Sequence, residues 1–160
     1  MLELLESWID DVNNSHLAWR RSCSRFQPQF SGFYSSSLLN ASYYVIVDTL
    51  PLPGLPELRQ VGLGDFIDNQ NRFDGITYKD TYYLLPKVAG DASIHFHELV
   101  HVIQWRELGA KAFIQRYMAE IQMFGYGRQA PLEGMAFGLQ DHFDKGAKPF
   151  DVEQKVLKTL

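Results

Sequence analysis

The chain has 160 residues, 46% of them hydrophobic and 21% charged, and its 15 Lys and Arg against 19 Asp and Glu leave a formal charge of −4. That length and composition predict a single globular domain over 1–160 and exclude a disordered chain. The basic residues are few and scattered, with no cluster longer than Arg20-Arg21, so no nucleic-acid partner is expected.

Leu5, Trp8, Ile9, Val12, Trp19 and Phe26 recur at spacings of three, four and seven, which predicts an amphipathic helix over 2–25. The first ten residues carry Glu3, Glu6 and Asp10 and no Lys or Arg, the wrong charge for a signal peptide, so a cytoplasmic location is expected. His16 has no ligand-type residue four positions away and reads as a surface or hydrogen-bonded histidine. Cys23 is the lone cysteine; it can form no internal disulfide and is expected to be a small buried side chain.

Residues 43–47 form a β-branched and aromatic run that reads as a buried strand. This is also the longest apolar run, far short of the ~18 residues that span a bilayer, so no membrane partner is expected. Pro51, Pro53, Gly54 and Pro56 predict a loop, with a short helix opening at 56–60. Residues 75–78 and 81–85 are β-formers on either side of Lys79-Asp80, the pattern of a hairpin. From Asp91 onward the pattern is helical, with helices predicted over 92–107 (stopped by Gly109), 110–124 (stopped by Gly125 and Gly127), 131–144 and 149–159. The fold class expected is α+β: an N-terminal helix, a small sheet or hairpin, then a site-bearing helix and a C-terminal helical bundle.

The informative segment is His97-Glu98-Leu99-Val100-His101, an HExxH pattern inside a predicted helix. Residues i and i+4 share one helix face, so His97 and His101 can aim their imidazoles at one ion. Glu98 is rotated by about 100° toward the ion's open side, where a general base would stand. Zn²⁺ suits such a set: a third protein ligand completes it and leaves a position for water, whose pKa falls toward ~7 so that Glu98 can take its proton. His95 points to another face and is expected to be structural or to support a ligand from behind.

Three positions compete for the third ligand. An extended pattern with Gly at 104 and His at 107 fails, because the chain has Gln104 and Glu107 and a helix that runs on turns Glu107 away. Glu120 lies on the next helix, and a turn at Leu108-Gly109 brings it back level with His97. Glu133 opens the following helix after Pro131, although a glutamate in a first turn also complements the helix dipole without any metal. Tyr117, Tyr126 and Arg128 are candidates to stabilise a developing oxyanion, whereas His142 fits the metal face poorly.

The run His-Glu-Leu-Val-His-Val-Ile-Gln at 97–104, followed by Trp105, Tyr117, Gly125-Tyr126 and Pro131-Leu132-Glu133-x-x-Ala136, resembles a group of small bacterial zincin metallopeptidases. The likeness covers about 75–140. It implies a zincin-like fold and zinc held by His97, His101 and, by motif position as in the glutamate-ligand zincins (gluzincins), Glu133, with Glu98 as general base and a peptide or protein as substrate. It also gives the strand before the site-bearing helix, 81–85, a place beside the cleft where it pairs with extended substrate, although its tyrosines read equally as ordinary strand residues. One departure is Met135, where relatives often carry a second acid. The function expected is a zinc-dependent metallopeptidase-like hydrolase. The alternatives are a zincin-like module that binds metal for binding or assembly without turnover, and a helical protein in which HExxH is incidental.

Overall fold

The first helix, α1 (Leu2–Ser15), buries Leu5 and Ile9 and packs Trp8 and Val12 at its flanks, as their spacing demands. It ends well before the expected residue 25. The polar side chains after Val12 compete for the backbone: Ser15 Oγ donates to the Val12 carbonyl at 2.7 Å, and the His16 ring bonds the same carbonyl at 2.8 Å. Trp19 is consequently 70% exposed, and Phe26 belongs to a separate 3₁₀ turn, Cys23–Phe26. Between them lies β1 (Arg21–Ser22), too short to leave a sequence signal.

The structure, a computed structural model, describes residues 1–68 and 73–160. After two short helices, α2 (Gln27–Phe30) and α3 (Ser36–Asn40), come β2 (Tyr43–Ile46), α4 (Pro56–Gln60), α5 (Gly64–Asp68), β3 (Gly75–Tyr78) and β4 (Thr81–Leu84). The sheet order is β1-β2-β4-β3, with β2 and β4 parallel and the other pairs antiparallel. The hairpin of β3 and β4 turns at Lys79, which takes φ 61°. Its strands, however, sit the other way round from what the resemblance implies, and 81–85 is the ordinary buried strand its tyrosines also suggested. β4 lies inside the sheet, because all four of its residues are buried and Tyr43–Ile46 pair with Thr81–Leu84; β3 is the outer strand. The strand at 81–85 is therefore closed to a substrate backbone.

Helix α6 (Ala92–Leu108) starts on Asp91, whose carboxylate accepts from Ser93 N at 3.0 Å, and stops at Gly109, where φ is +80°. Every residue from His95 to Trp105 is buried. A helix enclosed on all faces forms the centre of a molecule. Phe96, Leu99, Val100 and Ile103 join Phe30, Phe33 and Tyr34 in one apolar cluster, while Trp105 joins Phe113, Ile114 and Tyr83 in the other. Burying one such leucine or isoleucine contributes about 1.5–3 kcal/mol, enough to carry the polar residues of the same helix indoors.

Helix α7 (Ala110–Phe124) ends at Gly125 with φ +75°, and α8 (Pro131–Asp144) opens with proline in its first turn. The last helix, α9 (Val152–Thr159), begins later than 149 because Asp151 caps it, accepting from Gln154 N at 3.1 Å. The architecture among the described residues is α+β, with nine α-helices around a small mixed sheet. No helix among them is long and apolar enough to cross a membrane.

Candidate metal centre

Helix α6 presents His97 and His101 one turn apart, and α8 lies against it and presents Glu133 from its first turn. The ligand-type atoms converge: His97 Nε2 and His101 Nε2 are 3.2 Å apart, and Glu133 Oε1 is 3.3 Å from each. A tetrahedron with metal–ligand bonds of ~2.05 Å has edges of about 3.3 Å, so these separations are compatible with one small divalent ion; Glu133 Oε2 also stands 2.9 Å from His101 Nε2. The three side chains are only 3–7% exposed. Among the described residues, this is the group of three His, Cys, Asp or Glu side chains able to hold an ion.

The electrostatics ask for positive charge. Burial alone raises the Glu133 carboxyl, but the imidazoles of His101 and His97 outweigh it and hold the group well below the usual carboxylate range. Burial alone lowers the His101 imidazole, but Glu133 reverses the shift and pushes it up to about 9. In the absence of an ion, a proton on His101 thus compensates the buried carboxylate. Behind the site, His97 Nδ1 meets Gln140 Oε1 at 2.9 Å, and His101 Nδ1 meets Gln104 Oε1 at 2.7 Å.

Glu98 is buried, and its Oε2 accepts a hydrogen bond from Thr77 Oγ1 at 2.6 Å. The neighbouring Gly75 makes room for the rest of the carboxylate: a Cβ there would stand 2.8 Å from Glu98 Oε1 and 2.7 Å from Leu84 Cδ2. Glu98, His101 and Glu133 open on one cavity of ≈ 100 Å³, otherwise walled largely by apolar side chains such as Leu5, Ile9, Phe66, Phe73 and Trp105. Tyr117 and Tyr126 also line it, and Tyr117 Oη donates to Glu133 Oε2 at 3.3 Å. Burial and then the charge of Glu133 raise both phenols, so both remain proton donors at neutral pH.

Other sequence candidates fall outside. Glu120 is buried but turned away from the centre, with Oε1 accepting from Leu132 N at 2.6 Å and Oε2 pairing with Arg116 at 2.8 Å. It caps α8 where Ala130 has no side chain to do so. Arg128 is exposed, paired with Asp141 at 2.6 Å, and does not line the cavity. His142 is exposed. His95 is structural: it donates from Nε2 to the Ala89 carbonyl at 2.8 Å and accepts from Tyr82 Oη at 2.7 Å. Cys23 is buried beside the same tyrosine, and burial pushes its thiol up to about 12, leaving it inert. His16 is hydrogen-bonded at the end of α1.

Thr77 and Gln140 carry no local signal in the sequence, because each reaches its partner only through the fold. Gln104 stands in the same helical run as the two histidines, but its position alone does not say what it bonds. Met135 packs its sulfur 3.4 Å from Gln104 Nε2. The fold and site thus define an α+β protein with a buried two-histidine, one-glutamate cluster. No family model, curated protein or solved structure matches the chain, so a functional reading rests on this geometry.

Proposed function

We propose that this protein is a metal-dependent hydrolase of the zincin type, with His97, His101 and Glu133 holding one divalent ion and Glu98 acting as general base. The observation that carries the reading is the 3.2–3.3 Å triangle of two imidazole nitrogens and a carboxylate oxygen. Two nitrogens and one oxygen favour zinc. When bound, such an ion polarises a carbonyl and acidifies water at its open position. Glu98 is steadied through Oε2 by Thr77, which leaves Oε1 to accept a proton from the attacking water. Tyr117 and Tyr126 line the cavity with protonated phenols, and either can hydrogen-bond an oxygen that gains charge, Tyr117 by turning its hydroxyl away from Glu133. The apolar walls keep bulk water out and suit an apolar group of a peptide or protein substrate.

One observation favours a second reading, a zincin-like domain that holds metal for binding or assembly without turnover. The cavity of ≈ 100 Å³ is small for a polypeptide. Glu98→Gln separates the two when zinc content and hydrolysis of a peptide library are measured together. The hydrolase reading predicts unchanged zinc and hydrolysis lower by about 10²–10⁴-fold. Hydrolysis that survives the substitution contradicts the assigned base; zinc-loaded wild type with no hydrolysis selects the second reading.

A further inference from the structure

We infer that Gln104 and Gln140 are the positioning residues of this centre, each fixing one imidazole so that its Nε2 is a ligand atom; the inference rests on the metal reading above. The orientation of both amides follows from what stands at their far ends. Gln104 Nε2 lies 3.0 Å from the Leu132 carbonyl, a group that can only accept. The amide nitrogen must therefore face Leu132, and the oxygen faces His101 Nδ1 at 2.7 Å. Gln140 Nε2 lies 2.7 Å from Ser93 Oγ, whose own proton goes to Asp144 Oδ2 at 2.8 Å. Ser93 can accept there, so again the amide oxygen is turned to the imidazole, at His97 Nδ1, 2.9 Å away.

Facing an oxygen acceptor, each Nδ1 carries the proton. In the neutral ring the lone pair is then on Nε2, and both lone pairs point into the same small space as the Glu133 carboxylate. Three such atoms 3.2–3.3 Å apart repel unless a proton or a metal cation sits among them. The two glutamines thus turn both Nε2 atoms toward one point beside Glu133, where a bound ion can take the place of that proton. Being neutral, they fix the rings without adding negative charge behind them, unlike the carboxylates that often stand in this position.

The placement is built into both helices. Ser93, His97, His101 and Gln104 form one stripe of α6 at spacings of four, four and three, and Glu133, Phe137, Gln140 and Asp144 form one stripe of α8. The stripes meet, with Ser93 on Asp144 and Gln140, and His97 on Gln140, Phe137 and Glu133.

Zn²⁺ affinity measured by competition with a chromogenic chelator, on wild type, Gln140→Met and Gln140→Glu, tests this, with the melting temperature of each metal-free protein as the check on folding. Gln140→Met removes the acceptor and should weaken Zn²⁺ about 10–100-fold while the metal-free melting temperature stays put. Gln140→Glu restores an acceptor, and Ser93 can turn its hydroxyl to it, so affinity should return to the wild-type level or better. A folded Gln140→Met that binds Zn²⁺ as tightly as wild type overturns the inference and leaves the metal centre standing. Should Gln140→Met not fold, Ser93→Ala frees the amide to flip and should weaken binding in the same direction; unchanged binding overturns the inference. Wild type that takes up no Zn²⁺ overturns the metal reading itself, and this inference with it.

Discussion

Glu120 and Glu133 are both buried carboxylates on neighbouring helices, and their hydrogen bonds assign them different work. Glu133 faces two imidazoles; Glu120 satisfies the amide of Leu132 in the first turn of α8. Glu120→Ala leaves that buried amide without a partner and should cost about 1–3 kcal/mol in urea denaturation. Zinc content should stay at the wild-type value, and loss of zinc from a folded variant would return Glu120 to the ligand set. The sequence made His97, Glu98 and His101 legible because their relation is local, set by helical period alone. Thr77 and Gln140 were not legible, since Thr77 meets Glu98 across a sheet-to-helix contact and Gln140 meets His97 across two helices.

The pairing of α6 with α8 is the contact that assembles the centre, and its polar stripe is readable only once the two helices are known to face each other. The stops at Gly109 and Gly125 and the start at Pro131 were legible, because a positive φ or a missing N–H is a property of one residue. The end of α1 was not, because Trp19 and Phe26 keep its period after Ser15 and His16 have already turned the chain.

Helix α9 is tied on by Glu153, which accepts from Ser35 N at 3.1 Å and pairs with Arg106 at 3.3 Å. Burial raises this carboxyl, but the bonds to Ser35 and Arg106 outweigh it and leave it below its ordinary value. A lowered folded-state pKa stabilises above the unfolded value of about 4.3 and loses that contribution as pH falls through the folded value. Glu153→Gln should therefore be less stable than wild type at pH 7, by about 1 kcal/mol or less for so exposed a pair, with the gap closing in acid. A gap of equal size in strong acid would show that its charge is not what holds α9.

The molecule as a unit is two apolar clusters with α6 between them, and that arrangement keeps the His97, His101 and Glu133 side chains in place and away from bulk water. Its class was legible from the order of patterns: one helix, β-formers, then helices. The sheet order was not. The parallel pairing of Tyr43–Ile46 with Thr81–Leu84 joins segments separated by a long crossover, and it moved the outer position from β4 to β3. The outer strand, Gly75–Tyr78, is also the one that carries Thr77 and makes room for Glu98.

Every role assigned to this centre depends on His97, His101 and Glu133 holding one ion together. Elemental analysis of protein purified without chelator or metal-affinity resin, set beside His97→Ala and Glu133→Ala, addresses this directly. About one zinc per chain in wild type, lost or sharply reduced in both variants while they remain folded, is the predicted result. Wild type without metal even after incubation with Zn²⁺, or variants that keep it undiminished, would contradict the assignment.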